Sequence, residues 1–181
     1  IGNGKYLILE EPYNRISIVE IGADTKLLNT YISRISLEIE LNNLNKNFEG
    51  LAYSKKLGRI YVAKERNPIR IYEIDGFTTP DKTKDMIVRG NIDREQRLFI
   101  KDLSGLEVDP ETGHLLVLSH ESRLITELDD QGRPISTLSL LGLGSDLDKL
   151  VKQAEGIALG PDGTLYVMSE PNLFYVFKKT P

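Results

Sequence analysis

The sequence contains no cysteine, no tryptophan and only two histidines. The absence of cysteine excludes disulfide bonds, thiolate metal sites and catalysis by a thiol nucleophile. A single histidine without a second His or a Cys beside it makes a poor transition-metal site. The motifs of a serine-hydrolase elbow, a zinc-protease helix and a phosphate-binding glycine loop are also missing. These absences favour a protein that binds over one that catalyses.

Positive charge and long apolar runs are scarce as well. The chain has 23 Lys and Arg residues and 27 Asp and Glu residues, which gives a net charge of -4. Binding to the phosphate backbone of nucleic acid needs an excess of basic residues, so nucleic acid is not an expected partner. No apolar run approaches the roughly 18 residues of a membrane-spanning helix, and the first residues do not resemble a signal peptide. The chain begins at Ile1 without a methionine. We therefore expect an upstream segment, which is where a membrane anchor would lie.

One short stretch occurs three times along the chain. Residues 48–53 (FEGLAY), 103–108 (LSGLEV) and 154–159 (AEGIAL) share an apolar–polar–glycine–apolar pattern. Each copy is followed by a turn that ends in a glycine, at Gly58, Gly113 and Gly163, and then by two more strand-like segments. A period of about 50 residues, with short strands inside it, is typical of the blades of a β-propeller.

The predicted fold is therefore all-β, a single β-propeller domain over residues 1–181 with four antiparallel strands in each blade. We predict a partial blade at 1–41, blades at 42–100 and 101–140, and a last blade at 141–181 that lacks its outer strand. The outer strands are predicted at residues 31–41, 97–100 and 134–140, and the charged stretch 81–96 as a solvated insertion. We expect residues upstream of Ile1 to supply the last outer strand and to close the ring.

Several segments resemble the SdiA-regulated family of bacterial envelope proteins, with the run LSHESR as the most specific motif. The matching segments are residues 48–54, 64–68, 116–123, 153–156 and 169–172. The resemblance implies a five-bladed propeller, of which about three and a half to four blades are present here. It also implies a location in the bacterial envelope, on the periplasmic side of the inner membrane, often behind an N-terminal anchor. No biochemical activity is established for the family.

The repeat also predicts where polar residues meet. The innermost strand of a blade starts on one face of the disc and the second strand returns to that face, so the start of one and the end of the other are neighbours. The residues that this places on one rim of the central channel are Glu11, Glu49, Glu65, Ser104, His120, Glu155 and Glu170. Carboxylates this close raise each other's pKa unless a cation neutralises them. Calcium accepts about six to eight oxygen ligands, so Glu49 and Glu155 are candidate axial ligands for Ca²⁺.

A structural role for the same residues is the alternative. Glu49 and Glu155 would then cap turns or accept hydrogen bonds from backbone amides, with water in the channel. His120 would be a hydrogen-bonded rim residue. Two other rim carboxylates, Glu65 and Glu170, would pair with Arg66, Arg70 or Arg123. Ser104 interrupts the pattern of carboxylates, so any metal cage would be asymmetric.

The sequence thus favours a non-catalytic binding or scaffolding propeller, which offers its carboxylate-rich face to a ligand or a protein. The other reading is a calcium-dependent hydrolase of esters or phosphoesters. In that case the ion would act as Lewis acid, and His120 or a rim carboxylate would act as general base.

Overall fold

The structure is a computed structural model, and it describes residues 1–25, 31–37, 48–77, 86–142, 147 and 149–179. Within these ranges the secondary structure is almost entirely β. The strands are β1 Lys5–Glu10, β2 Arg15–Glu20, β3 Tyr31–Ser36, β4 Phe48–Ser54, β5 Arg59–Lys64, β6 Arg70–Asp75, β7 Ile87–Gly90, β8 Gly105–Val108, β9 Leu115–Ser119, β10 Leu124–Leu128, β11 Pro134–Ser139, β12 Ala154–Leu159, β13 Leu165–Ser169 and β14 Leu173–Phe177. A 3₁₀ turn spans Glu11–Tyr13, and the helix α1 spans Ile92–Gln96.

The strands form four antiparallel sheets that follow one another along the chain. Sheet 1 is β1-β2-β3, sheet 2 is β4-β5-β6-β7, sheet 3 is β8-β9-β10-β11 and sheet 4 is β12-β13-β14. Each sheet is a meander in which neighbouring strands are consecutive in sequence. The all-β propeller prediction is confirmed by this arrangement, which repeats one supersecondary unit from sheet to sheet.

The hairpin turns form where the sequence places glycine after Asp and Pro. Gly113 and Gly163 have φ values of 83° and 77°, a region that residues with a Cβ rarely adopt. Asp109 fixes the first of these turns, since its Oδ1 accepts a hydrogen bond from the Glu111 amide at 2.8 Å. Local residue chemistry therefore sets the register between the first and second strands of each unit.

The hydrophobic core lies between the sheets. Side chains alternate across each strand, so β5 turns Ile60 and Val62 toward sheet 1, and Tyr61 and Ala63 toward sheet 3. A third cluster, which includes Leu118 and Val167, joins sheet 3 to sheet 4. Every sheet except the first and last is therefore buried on both faces.

The innermost strands approach each other closely at the glycine that recurs in each copy of the repeat. A Cβ on Gly50 would lie 3.2 Å from Leu106, and one on Gly105 would lie 3.2 Å from Ile157. Glycine at this position lets each inner strand rest against the next one. The repeated motif is thus a packing motif as well as a marker of the strand.

Two details of sheet 2 differ from the prediction. Its outer strand is β7, inside the stretch 81–96 that was predicted as a solvated insertion, and residues 97–100 form no strand. The reason lies in α1, where Arg94 Nη2 donates to the carbonyl oxygen of Ile71 at 2.5 Å and Glu95 Oε1 accepts from the Ile71 amide at 3.0 Å. Two side chains therefore take the place that residues 97–100 were expected to fill.

The other outer strands lie where the sequence predicts them. β3 falls within 31–41, whose last residues are outside the described ranges, and β11 falls within 134–140. No described strand pairs with the outer side of β14. Among the described residues, no helix has both the length and the apolar character needed to cross a membrane.

Candidate functional site

Glu49 and Glu155 occupy β-bulges at the start of two inner strands. In sheet 2, Phe48 pairs with Lys64 and Gly50 with Ala63, so Glu49 has no partner on β5. In sheet 4 the same register shift isolates Glu155 between Ala154 and Gly156. A bulge turns its extra residue out of the alternating pattern of the strand and re-aims the side chain. Both carboxylates are directed in this way by the local backbone.

The charges of carboxylates from three sheets act on Glu49. Burial and, after it, the negative charges of Glu11, Glu65 and Glu155 together raise the pKa of Glu49 from 4.5 to about 7, while Arg66 opposes them. These groups come from sheets 1, 2 and 4, so the structure brings them to one face of the molecule. We call this face the rim.

Glu155 interacts electrostatically with two further residues of the predicted rim, Glu170 and His120. Burial raises the pKa of Glu155, Glu170 adds to the effect, and His120 opposes it. The Nδ1 atom of His120 lies 3.5 Å from Glu155 Oε1, which is beyond ordinary hydrogen-bond distance. Their side chains are 33% and 36% exposed, so both groups are open to a ligand in solution.

Arg66 provides the positive charge on the rim. It forms an ion pair with Glu65, and its Nη1 donates to Glu121 Oε1 at 2.9 Å. Glu65 therefore has the partner that the structural alternative gave it. Arg70 has a different role, since its Nη1 pairs with Glu95 at 3.0 Å.

Ser104 does not present its hydroxyl to the rim. The side chain is buried, and Oγ donates a hydrogen bond of 2.7 Å to the carbonyl oxygen of Ala154. This bond ties sheet 3 to the inner strand of sheet 4. The third sheet thus has a structural contact at the position where sheets 2 and 4 carry a carboxylate.

Asp102 is a buried residue near the rim that the sequence interpretation missed. It is 1% exposed, its Oδ1 accepts hydrogen bonds from the Ser119 hydroxyl and from the Glu121 amide, and its charge raises the pKa of Glu155. The sequence did contain a signal for this residue. The position just before the repeated motif is polar in all three copies, as Asn47, Asp102 and Gln153. The Ser119 hydroxyl, bound to Asp102, is not directed at His120.

The rim side chains that the structure describes do not form a compact set of metal ligands by themselves. Among the described residues, no three His, Asp or Glu side chains converge closely enough to hold a metal ion. A calcium ion would need most of its oxygen ligands from elsewhere, such as backbone carbonyls and water. Calcium binding by Glu49 and Glu155 stays a prediction.

A second group of titratable residues lies on the opposite face, in the seam between sheets 3 and 4. Burial raises the pKa of Glu107 to about 7, and Asp109 contributes in the same direction. His114 Nδ1 lies 2.7 Å from Glu127 Oε1 on the same sheet. Glu107 holds the position that Ala52 and Ala158 hold in the other two copies of the motif. A comparison of the three copies therefore shows a charged residue where the other two have alanine.

Four successive meander sheets, joined face to face with their innermost strands in contact, define a β-propeller. Its distinctive feature is a rim on which three sheets place carboxylates. The chain belongs to the SdiA-regulated family, whose family model matches residues 1–178. The family expected from the sequence is thus confirmed over nearly the whole chain.

Solved structures of β-propellers are similar to this chain. A chain of the nidogen–laminin complex is 14% identical, with a TM-score of 0.58 over 92% of this chain and 55% of that one. A virginiamycin B lyase from Staphylococcus aureus, an inactive variant with quinupristin, is 16% identical with a TM-score of 0.53 over 99% and 54%. Regucalcin from Agrobacterium tumefaciens, described as a calcium-binding protein, is 14% identical with a TM-score of 0.53 over 90% and 52%. The chain spans about half the length of these proteins, and the likeness shows the fold alone.

Proposed function

We propose that this protein is a non-catalytic binding or scaffolding propeller whose rim takes a cationic ligand or a basic segment of a partner protein. The observation that carries the proposal is the environment of Glu49. Its carboxyl is partly buried and feels the negative charges of three other carboxylates, and the opposing Arg66 is already paired with Glu65 and Glu121. A cation from outside would restore the ionised form of Glu49 and lower the repulsion between the carboxylates. Binding and neutralisation of charge are thereby coupled.

The polar groups near the rim support binding over catalysis. The Ser119 hydroxyl donates to Asp102, and the Ser104 hydroxyl donates to Ala154. A serine nucleophile of the triad type needs its hydroxyl within hydrogen-bond reach of a histidine base, and neither serine donates to a histidine.

Isothermal titration calorimetry with three probes, namely calcium chloride, spermidine and a hexalysine peptide, tests the proposal. We expect at least one probe to bind, and the double variant Glu49→Gln/Glu155→Gln to weaken that binding about tenfold or more. The matched control is Glu20→Gln/Glu111→Gln, which removes the same two charges from exposed positions outside the rim. Binding that both double variants weaken equally would reflect net charge alone, and the rim would not be the site.

The proposal includes the location that the family resemblance implies, the periplasmic side of the bacterial inner membrane. Fractionation of cells that express the full natural polypeptide tests this part. Recovery of the protein from the cytoplasmic fraction would contradict it, without bearing on the ligand of the rim.

A second candidate is a calcium-dependent hydrolase, and one contact favours it. His120 lies beside Glu155 on the exposed rim, and an imidazole next to a carboxylate is the arrangement that general bases use. Glu49 and Glu155 would hold the ion, which would supply Lewis-acid chemistry when bound. Turnover of aryl esters or aryl phosphates that requires calcium, and that His120→Gln abolishes, would replace the first proposal with this one.

A further inference from the structure

A polar cavity lies in the seam between sheets 2 and 3, the two sheets with four described strands. Leu57 and Gly113, in the first hairpin turns of these sheets, line it, so it lies on the face opposite the rim. Its volume is about 80 Å³, and a more open cleft of about 410 Å³ lies next to it. Glu73 and Asn91 line both. Cavity and cleft therefore form one recess, within the range of about 300–1,000 Å³ that small-molecule sites occupy.

The two arginines that line the cavity, Arg59 and Arg94, are already neutralised by carboxylates. Arg59 pairs with Asp75 through Nε at 2.7 Å and through Nη2 at 3.0 Å. Glu73 lies between the arginines, with Oε2 2.5 Å from Arg59 Nη1 and Oε1 2.6 Å from Arg94 Nη1. A charged ligand would have to enter a partly buried site without an unpaired opposite charge to meet it, which is unfavourable. The paired charges therefore favour a polar ligand that is neutral.

Two hydrogen-bond donors of the recess have no partner among the described residues. Arg94 is 4% exposed, and its buried Nε makes no hydrogen bond. A buried donor left unpaired is unfavourable, and it becomes satisfied if a ligand supplies an acceptor. Asn91 provides the second donor, because its Oδ1 accepts from the Arg94 amide at 3.0 Å while its Nδ2 group makes no described hydrogen bond. A ligand of this recess therefore needs acceptor oxygens.

We propose that the recess binds a neutral polyhydroxylated molecule of the size of one sugar ring. A hydroxyl group both donates and accepts, so neighbouring hydroxyls can accept from Arg94 and Asn91 and donate to the exposed carboxylate of Asp130, which also lines the cavity. A sugar ring has an apolar C–H face as well. Leu57, which is 55% exposed, offers that face an apolar contact. This site is separate from the rim, and the inference does not depend on the ligand of the rim.

Fluorescence titration of the whole chain tests the site, because the sequence contains no tryptophan. Leu57→Trp places a single indole beside the recess, and glucose, galactose and ribose serve as neutral probes. We expect at least one sugar to change the emission with saturation. The matched control is Leu141→Trp, at a leucine that is 47% exposed and does not line the recess. Its emission should not respond to the same sugar.

Asn91→Asp, made together with Leu57→Trp, tests the predicted hydrogen bond. The change removes the Nδ2 donor and keeps an oxygen that caps α1, so the melting temperature should stay the same. We expect the dissociation constant for the sugar to rise about fivefold or more, as for the loss of one hydrogen bond. Asn172→Asp is the matched control, since it makes the same change at an exposed position outside the recess, and it should leave the constant unchanged.

Saturation-transfer NMR with the unmodified chain shows whether the sugar binds without the introduced indole. We expect transfer from the protein to the same sugar, and weaker binding of its charged relatives glucosamine and glucuronate in the fluorescence titration. The proposal is overturned if none of the three neutral sugars receives saturation from the unmodified chain, or if Leu141→Trp responds as Leu57→Trp does. It is also overturned if Asn172→Asp weakens binding as much as Asn91→Asp, or if only the charged sugars bind.

Discussion

The charge of Glu155 raises the pKa of Glu49, although the two residues lie in sheets that are separated by the whole of sheet 3. Both are bulge residues at the start of an inner strand, so the backbone irregularity that re-aims one is repeated in the other. The coupling acts across the intervening sheet, which agrees with both carboxyl groups lying on the rim. Several measurable properties depend on this coupling.

Glu49→Gln should stabilise the protein more as the pH rises. The pKa of Glu49 is about 7 in the folded protein and 4.5 for an ordinary glutamate, so between these values the folded state binds more protons than the unfolded state. Stability is therefore lost as the pH rises through this window. Thermal melts should show equal midpoints for the variant and the unmodified chain near pH 4, and a higher midpoint for the variant above pH 7. A constant difference at all pH values would mean that Glu49 does not titrate in this range.

The carboxyl group of Glu107 should titrate near neutral pH. Burial in the seam between sheets 3 and 4 raises its pKa to about 7. Carbon-detected NMR of the side-chain carboxyl groups would measure this directly. Asp129 serves as the internal control, because hydrogen bonds from the Arg133 backbone and side chain lower its pKa. A Glu107 midpoint near 4.5 would show that water reaches the seam.

Arg94→Met should destabilise the protein by about 3 kcal/mol. The Arg94 side chain is 4% exposed, pairs with Glu73 at 2.6 Å and donates to the Ile71 carbonyl at 2.5 Å. Its removal leaves a carboxylate and a backbone carbonyl without this partner. Arg89→Met is the control, since Arg89 is 51% exposed and its pair with Asp75 should contribute less than about 1 kcal/mol. Urea denaturation of both variants gives the comparison, and equal losses would contradict the prediction.

Gly50→Ala should destabilise the protein by about 1–3 kcal/mol. The new methyl group would lie 3.0 Å from Ala63 Cβ and 3.2 Å from the backbone of Leu106, inside the contact between two inner strands. Gly90→Ala in β7 meets no atom within 4 Å and should be close to neutral. The same denaturation measurement distinguishes them, and a neutral Gly50→Ala would show that the inner strands can move apart.

The hairpins of this fold are predictable from the sequence because their determinants are local. Asp109 and Gly113 fix a turn whatever surrounds it, and the unbroken apolar run from Ile60 to Ala63 is typical of a strand that is buried on both faces. β7 was missed because all four of its residues are exposed, so it carries no alternation of apolar and polar residues. Its place in sheet 2 depends on backbone pairing with β6. That kind of contact leaves no pattern in the sequence.

The rim was predictable for a similar reason, and its details were not. Glu49 and Glu155 recur at one position of the repeat, so topology alone brings them to one face. The bulges that aim them depend on a register shift of one residue, which composition does not reveal. The use of Ser104 and Asp102 in buried hydrogen bonds depends on which sheet lies next to them.

The buried hydroxyl of Ser104 makes the charge distribution of the rim asymmetric. A ring of identical units would repeat the same potential from one unit to the next, and a ligand could then bind in several equivalent rotations. Here sheet 3, which lies between the two bulge glutamates, carries Ser104 in place of a third carboxylate. The neutral hydroxyl of Ser104 donates its hydrogen bond to the Ala154 carbonyl. The negative potential is therefore lopsided, and a ligand with one cationic end would be held in a single orientation.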